Sequence, residues 1–359
     1  MNARTQPTVL VTVNGEEVPA APGELLIDVA ARAGAAIPTL CHDPRLDPMG
    51  SCRMCLVEIE GQRRLQPSCA WRVTDGMVVT TESERITRHR KVLLSMYMAD
   101  HDVDEATGLP RERGAGNELV QLVKDYGTGP ELCHVGTPRE GREDANPYIH
   151  FDPEACIACA RCVRYCDEVE AVSAITLAKR GAKTTIATVD QIGLLDTTCE
   201  MCGGCIDTCP TGAMTEKPSI AAPAPETVVR STCNFCGVGC QLDLHVADDT
   251  VVRITSPEPG TTLNDGNLCI KGRFSYEFIH HEDRLTTPLI RRNGVLEPAS
   301  WDEAIQYAAQ GLMGVRDRHG PDALGFVSSS RCTGEENYLV QKLSRAAFGT
   351  NNCHQCAAT

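Results

Sequence analysis

Aromatic side chains are scarce in this chain. Phenylalanine, tryptophan and tyrosine make up 4% of its 359 residues, although hydrophobic residues of all kinds reach 42%. We therefore expect two or three domains with small cores, partly organised by bound metal. No apolar run approaches the roughly 20 residues that a membrane-spanning helix needs. The sequence thus predicts no membrane span.

Basic charge is also in short supply. Lysine and arginine number 34 against 48 aspartates and glutamates, for a formal charge of −14. Such an anion is a poor partner for nucleic acid or for an anionic membrane surface. The segment Met1–Val13 has neither the layout of a secretory signal nor a twin-arginine pair. We therefore expect a cytoplasmic protein that binds no nucleic acid.

Cysteine, by contrast, is abundant, with 20 residues. In a reducing cytoplasm this density indicates metal ligation, whereas a secreted protein would use it for a disulfide framework. Zinc is the other alternative, because paired C-x2-C motifs also suit zinc ribbons. Most of the cysteines fall into four sets of four with the spacing of iron–sulfur ligands. A row of such one-electron centres indicates electron transfer.

The first set has loop-length gaps around one tight pair. Gly50 and Ser51 precede that pair and leave space and backbone donors near sulfur. We predict a 2Fe–2S site, with four buried structural cysteines as the alternative. The predicted ligands are Cys41, Cys52, Cys55 and Cys69.

The next two sets are C-x2-C-x2-C-x3-C runs, which fit zinc poorly and are typical of 4Fe–4S ferredoxins. In two-cluster ferredoxins the fourth cysteine of each run ligates the other cluster. Pro210 follows Cys209 as the pattern requires, whereas Asp167 follows Cys166. One 4Fe–4S cluster is predicted on Cys156, Cys159, Cys162 and Cys209. The other is predicted on Cys199, Cys202, Cys205 and Cys166.

The last set lies beyond a proline- and alanine-rich segment at 217–226, which predicts a linker. A lone C-x2-C-x3-C motif would be ambiguous with zinc, but a distant fourth cysteine makes a 4Fe–4S site the better interpretation. The predicted ligands are Cys233, Cys236, Cys240 and Cys269.

Local patterns predict the elements around these sites. Asn14-Gly15 predicts a hairpin after a strand at Val9–Val13. Further predictions are helices over 24–33, 84–98 and 117–126, a second hairpin from strands at 56–59 and 63–66, and strands at 77–81, 241–246, 251–255 and 324–328. Capping boxes open predicted helices after Ser300 and Thr333.

The run Cys-Asn-Phe-Cys-Gly-Val-Gly-Cys at 233–240 gives these sets a family context. With the segments 330–339 and 348–352, the chain resembles the large (alpha) subunit of cytoplasmic NAD-dependent formate dehydrogenases, in the molybdopterin oxidoreductase superfamily. Residues 1–216 are equally similar to the large iron–sulfur subunit of respiratory complex I and to iron-only hydrogenases.

The resemblance implies an α+β multidomain fold. Its expected parts are a β-grasp 2Fe–2S ferredoxin domain (1–83), a helical connector (84–144), a bacterial-type two-cluster 4Fe–4S ferredoxin domain (145–216), the linker (217–226), a molybdopterin oxidoreductase 4Fe–4S domain (227–285) and the incomplete start of an α/β molybdopterin domain (286–359).

The implied activity is formate oxidation at a molybdenum or tungsten bis-pterin guanine dinucleotide centre. Electrons would pass through three 4Fe–4S clusters and one 2Fe–2S cluster to a flavin-containing, NAD-reducing subunit of diaphorase type. Lys271 matches the family lysine between a cluster and a pterin. The alternative for Lys271 is a solvated surface side chain.

Two departures from the family pattern matter. A further His/Cys3 cluster would use His101, but its cysteine positions hold Glu105, Gly108 and Gly114, so we expect that cluster to be absent. Cys133-His134 is too small a ligand set to replace it.

The second departure is at the end of the chain. The family spacing places the metal-binding residue at position 360, beyond Thr359. We interpret this as a UGA selenocysteine codon read as stop, with truncation or a cloned fragment as alternatives. The remaining catalytic domain would then be a missing partner, and this chain would be inactive alone. We expect structural roles for Cys332, Cys353 and Cys356.

Other functions stay open. A self-standing relay subunit of a hydrogenase or of an NADH dehydrogenase-like complex would explain the clusters but not residues 227–359. A redox sensor is a third possibility, although neither a helix-turn-helix nor a basic patch supports it.

Overall fold

The computed structural model describes residues 8–101, 109, 117–128, 139 and 143–356. Its internal contacts divide the chain between Ala222 and Pro223 into two units, which are described one at a time. Within the described residues no helix is both long and apolar enough to cross a membrane.

The first unit opens with a five-stranded sheet in the order β2-β1-β5-β3-β4. The predicted hairpin is present, with Val13 paired to Glu16 and positive φ angles at Asn14 (52°) and Gly15 (90°), as a type I′ turn requires. Strand β5 pairs with β1 in parallel, so the chain crosses over the sheet. The strands are β1 (Val9–Val13), β2 (Glu16–Ala20), β3 (Leu56–Ile59), β4 (Gln66–Pro67) and β5 (Met77–Thr80).

Helix α1 (Leu26–Arg32) covers this sheet and is shorter than predicted. The carboxylate of Glu24 accepts a hydrogen bond from the Ala21 amide and pairs with Arg32, which holds Glu24 outside the helix. Strand β4 also lies three residues later than its predicted start at Arg63. The buried core under α1 is aliphatic and includes Val11, Leu26, Val29, Val57 and Val79.

Two helices follow the sheet. Helix α2 (Glu84–Ala99) begins where the Ser83 hydroxyl accepts a hydrogen bond from the Ile86 amide. Helix α3 (Glu118–Tyr126) begins in the same way at Asn117. Their apolar faces pack on the loop that carries Cys41 and Cys52, in one core that includes Leu40, Met54, Leu94, Met98 and Leu119.

The cysteine-dense segment is built from two small ladders and two one-turn helices. Strand β6 (Ile149–Phe151) pairs antiparallel with β9 (Met214–Glu216), and β7 (Thr176–Ala178) pairs antiparallel with β8 (Thr185–Ala187). The short helices are α4 (Arg161–Arg164) and α5 (Gly204–Asp207).

The second unit begins with an antiparallel sheet in the order β10-β11-β12. Its first strand, β10 (Thr227–Thr232), is not among the sequence predictions. Strands β11 (Gln241–Ala247) and β12 (Thr250–Thr255) extend the predicted ones slightly. Helix α6 (Ile270–Phe274) starts directly after Cys269.

The rest of this unit is α/β. A hairpin of β13 (Leu289–Arg292) and β14 (Val295–Pro298) precedes α7 (Trp301–His319), β15 (Phe326–Ser329), α8 (Gly334–Lys342) and β16 (Cys353–Cys356).

Strand β15 pairs in parallel with β16, and Val327 within it is 70% exposed. One expectation for this α/β part is wrong. At the start of α7 the Ser300 cap forms, but the Glu303 carboxylate pairs with Arg292 instead of closing the capping box. The Thr333 box closes as predicted.

Candidate iron–sulfur sites

The first four predicted cysteines meet in one buried site at the edge of the β-grasp sheet. All four are at most 4% exposed. The Sγ atoms of Cys55 and Cys69 lie 3.2 Å apart, and the Cys52 amide donates to Cys41 Sγ over 3.4 Å. Gly50 bends the loop at φ 64°, where a β-carbon would touch Ala70.

Electrostatics in this site favour a bound cationic group. Thiols of Cys52 and Cys69 point at Cys41 and hold its pKa well below its usual value. The same contact with Cys41 raises the pKa of Cys52 and of Cys69, and burial adds to both shifts. Contact with the Cys69 thiol also lowers the pKa of Cys55, to about 7. Thiolates at Cys41 and Cys55 are therefore easy to form, whereas those at Cys52 and Cys69 are costly unless positive charge such as iron joins them. An all-thiol donor set of this kind suits a 2Fe–2S cluster.

The next set combines a run with the fourth cysteine of the other run. Burial raises the pKa of Cys156 to about 11 and that of Cys159 to about 12, and the neighbouring charge of Cys209 adds to both shifts. Backbone amides point at the sulfurs, from Ala158 to Cys156 (3.3 Å) and from Met214 to Cys209 (3.4 Å). Cys209 therefore lies with the 156–162 run.

The other predicted ferredoxin-type set lines a cavity of about 330 Å³. The cysteines that line it are Cys166, Cys199, Cys202 and Cys205. Burial raises the pKa of Cys199, and the charge of Cys166 raises it further. Amides again donate to sulfur, from Ala174 to Cys166 (3.3 Å) and from Met201 to Cys199 (3.5 Å).

These two sets are related by an internal repeat. In each run the second residue after the first cysteine has positive φ and donates to that cysteine, as Ala158 (φ 52°) and Met201 (φ 54°) do. Ala160 (φ 60°) and Gly203 (φ 75°) then start α4 and α5. The backbone thus curls around each sulfur group in the same way, and the repeat supports two equivalent clusters.

The fourth set lies in the second unit, between β10, β11 and α6. Burial raises the pKa of Cys233 and of Cys240, and the charge of Cys269 contributes to both shifts. The Cys233 amide donates to the Cys240 carbonyl over 2.8 Å, which closes the loop between them. A β-carbon on Gly272 would lie 3.6 Å from Cys233 Sγ, so α6 approaches this sulfur closely. The charge of Cys236 also raises the pKa of Cys240, so Cys236 belongs to the same group of thiols.

Three of the sites adjoin one another within the first unit. Ile157 and Cys159 pack against the core that contains Cys41 and Cys52. Burial raises the pKa of Tyr97, and the charges of Cys52, Cys41 and Cys159 all add to the shift, so this ring lies between two sites.

The two ferredoxin-type sets are equally close to each other. Burial holds the pKa of Cys162 well above its usual value, and the charge of Cys205 from the other set raises it further. The order of sites is therefore the β-grasp quartet, the quartet with Cys209 and the quartet with Cys166.

Four family models match the chain in this order. They are the 2Fe–2S iron–sulfur cluster binding domain (6–84), the ferredoxin-like domain of NADH-quinone oxidoreductase subunit 3 (146–215), the molybdopterin oxidoreductase Fe4S4 domain (226–281) and molybdopterin oxidoreductase (284–359). The matched regions are therefore iron–sulfur ferredoxin domains followed by domains of the molybdopterin oxidoreductase type. The predicted succession of ferredoxin, Fe4S4 and molybdopterin domains is confirmed.

The relatives that this chain matches carry several names. It is 38% identical over 96% of its length to the NADPH-Fe(3+) oxidoreductase subunit alpha of Geobacter sulfurreducens, and 37% identical over 96% to a subunit of an NADH-quinone oxidoreductase of Rhizobium meliloti. A Staphylococcus aureus protein named "putative formate dehydrogenase" is 27% identical over 98%. The chain spans about 40% of the length of these relatives.

A solved structure matches as well. The crystal structure of an NAD+-reducing [NiFe]-hydrogenase superposes with a TM-score of 0.53 and 31% identity, over 60% of this chain and 90% of that one.

The other predicted site residues have mixed outcomes. Lys271 is exposed on α6, two residues after Cys269. His101 follows the end of α2 and is 2% exposed. Glu105, Gly108, Gly114, Cys133 and His134 lie outside the described residues. No three histidine, cysteine or acidic side chains converge on a single ion anywhere in the described chain. A polynuclear cluster holds its ligands farther apart than one ion does.

Sequence reasoning missed several side chains that support the sites. Arg161 is 6% exposed and forms a two-pronged ion pair with Glu118, whose amide donates to Pro210 O over 2.7 Å. The ion pair joins α3 to α4, and the amide of Glu118 joins α3 to the loop after Cys209. Arg90 is 1% exposed under the β-grasp quartet. The residues around each arginine in the sequence resemble those around a surface arginine, so no local pattern could have indicated that the side chain is buried.

Proposed function

We propose that this chain is the electron-relay portion of a formate dehydrogenase alpha subunit. In the complete enzyme, electrons from formate oxidation at a molybdenum or tungsten bis-pterin centre would reach a flavin-containing, NAD-reducing subunit in the cytoplasm. When bound, one 2Fe–2S and three 4Fe–4S clusters would supply one-electron redox chemistry at the four cysteine quartets.

The observation that carries this proposal is the contiguity of three quartets in the first unit. Tyr97 lies between Cys52 and Cys159, and Cys162 lies within electrostatic reach of Cys205. The intervening core is apolar and excludes water from the space between the first two sites. A single-site protein would have no use for such an arrangement, whereas a relay needs it.

The role of the chain's own residues is to prepare these sites. Buried thiols and inward amides favour thiolate ligation of iron and suppress side reactions with solvent. In the second unit, α6 presents Lys271 next to Cys269, where the resemblance suggests contact with a pterin. Catalysis itself would require the remaining catalytic domain, because cofactor enzymes position substrate against the cofactor with surrounding protein groups.

A second candidate is a relay that receives electrons from NADPH or NADH and delivers them to an acceptor other than formate. It is favoured by identity, since the Geobacter relative reaches 38% and the Staphylococcus protein 27%. The similarity to an NAD+-reducing hydrogenase is a second reason to consider a donor other than formate. Both candidates use the same four quartets.

The test is electron entry into the complete native complex, purified anaerobically through a tag on this chain. Iron and sulfide analysis should give about 14 iron atoms for the quartets. Formate should reduce the cluster EPR signals if the first candidate is right. Reduction by NADPH or NADH without any response to formate would favour the second. Zinc in place of iron would contradict both.

A further inference from the structure

The side chain of Arg90 is a cation buried beneath the β-grasp quartet. It belongs to α2 and is 1% exposed, so its guanidinium has almost no contact with water. Burying an unpaired charge costs several kcal/mol unless hydrogen bonds and opposite charge compensate for it. Arginine stays protonated in proteins, so neutralisation offers no escape.

The hydrogen bonds of Arg90 all go to neutral oxygens. Nε donates to the Met54 carbonyl (3.1 Å), and Nη2 donates to the carbonyls of Leu56 and Thr81 (both 3.2 Å). Nη1 donates to the Tyr126 hydroxyl over 2.9 Å. Among the residues that the structure describes, no carboxylate pairs with Arg90.

Two of these carbonyls flank a predicted ligand. Met54 immediately precedes Cys55 and Leu56 immediately follows it. The guanidinium therefore donates hydrogen bonds to the backbone carbonyls on both sides of Cys55. Cys55 belongs to the quartet, and four thiolates with two ferric ions and two sulfides would carry about −2 in the oxidised state and one negative charge more after reduction.

We propose that Arg90 is a positioning residue whose buried charge raises the reduction potential of the 2Fe–2S centre. This inference rests on the proposed function in one respect, that the β-grasp quartet binds a 2Fe–2S cluster. One electron enters from a reduced neighbouring iron–sulfur centre, or from a chemical reductant in a test, and no proton is transferred. A fixed cation stabilises the more negative reduced form more strongly, and low local dielectric enlarges the effect.

A high reduction potential at this site would mean that an electron shared among the three clusters of the first unit resides mainly on the 2Fe–2S centre. The adjoining quartet near Tyr97 has a buried arginine too, but Arg161 is neutralised by Glu118. The two neighbouring sites thus differ in uncompensated charge, which gives electron flow a direction within the first unit.

The experiment is a mediator-controlled redox titration of the anaerobically isolated holoprotein, followed by the EPR signal of the reduced 2Fe–2S cluster. Arg90→Met should reduce the equilibrium constant for reduction at least tenfold, equivalent to about 59 mV for one electron. Arg90→Lys keeps the charge and should restore most of the potential even where thermal stability falls. Arg85→Met is the matched control, because Arg85 lies on the same helix with its side chain 50% exposed.

Several outcomes distinguish an effect of the Arg90 charge on the reduction potential from a purely structural role, in which Arg90 acts only as a hydrogen-bonding clamp. A clamp predicts lower stability in Arg90→Met and Arg90→Lys alike, with a 2Fe–2S potential no different from that of Arg85→Met, and that result would overturn the proposal. If Arg90→Met yields no folded holoprotein, Arg90→Gln replaces it, since glutamine can still donate to Met54 O. Equal potentials in Arg90→Gln and Arg90→Lys would also overturn the proposal. Absence of any 2Fe–2S signal in the unmodified protein would instead contradict the proposed function.

Discussion

The aromatic ring of Tyr165 lies directly against the Cα atom of Gly204. A β-carbon built on Gly204 would overlap three ring atoms of Tyr165. Tyr165 immediately precedes Cys166 and Gly204 immediately precedes Cys205, so this contact joins the two chain segments that supply one quartet. The ring is held by a hydrogen bond to Glu170 (3.1 Å) and by Arg45, whose guanidinium lies 4.9 Å from the ring centre.

Gly204→Ala should therefore break this quartet. The added methyl group forces Tyr165 or α5 to move, and overpacking of this kind typically costs about 1–3 kcal/mol. We expect the loss of one 4Fe–4S cluster, seen as about four fewer iron atoms per chain. Gly311→Ala is the control, because a β-carbon there meets nothing within 4 Å and should stabilise α7 by up to roughly 1 kcal/mol. Full iron content in Gly204→Ala would contradict the prediction.

The crossed assignment of the fourth cysteines can be tested by thiol alkylation and peptide mass analysis. Cys209→Ser should expose the 156–162 run to iodoacetamide and leave the 199–205 run protected, because Cys209 lies with the former. Cys166→Ser should give the reverse pattern. Cys332→Ser, outside all four quartets, should leave both runs protected. If Cys209→Ser instead exposed the 199–205 run and Cys166→Ser the 156–162 run, each fourth cysteine would ligate the cluster of its own run and the crossed assignment would be wrong.

The ion pair between Arg161 and Glu118 should stabilise the packing of α3 on the cluster loop. Glu118→Gln removes the opposite charge and one of the two acceptor oxygens, so the buried guanidinium keeps the amide oxygen and the more distant Thr208 carbonyl at 3.5 Å. Because the Glu118 side chain is 49% exposed, water can partly replace it, and we expect a loss of about 1–2 kcal/mol. Urea unfolding of the holoprotein measures this. Gln121→Ala, on the exposed face of the same helix, should change stability by less than about 0.5 kcal/mol.

Acidification should weaken the β-grasp domain through Glu24. A hydrogen bond from Arg32 lowers the pKa of Glu24 below its ordinary value of 4.5. A carboxyl group with a depressed folded pKa stabilises the fold above the unfolded value, and that stabilisation is lost as the pH falls through the folded value.

The difference in unfolding free energy between the natural protein and Glu24→Gln should therefore be about 0.2–1 kcal/mol near pH 6 and should shrink below pH 4.5. Denaturant titrations at several pH values give this difference, with Glu17→Gln on β2 as an exposed control. A difference that grows on acidification would have the wrong sign for this ion pair.

Much of the local structure was predictable because it depends on neighbouring residues. Asn14-Gly15 forms its hairpin and Thr333 closes its capping box as expected. Asn293-Gly294 carries the same turn signal, and both residues have positive φ in the β13–β14 hairpin, so that element was within reach of sequence reasoning. The Ser300 box failed because Arg292, on another element, competes for Glu303.

Cysteine number and spacing alone predicted four thiol quartets, because the C-x2-C pairs and C-x2-C-x2-C runs of iron–sulfur ligands are patterns along the chain. Only the tertiary structure decided which surroundings each quartet has. The burial of Arg90 beneath Cys55, the ring of Tyr97 between two sites and the contact of Tyr165 with Gly204 all join residues far apart in sequence. Long-range packing sets burial and local charge, and a one-dimensional pattern contains neither.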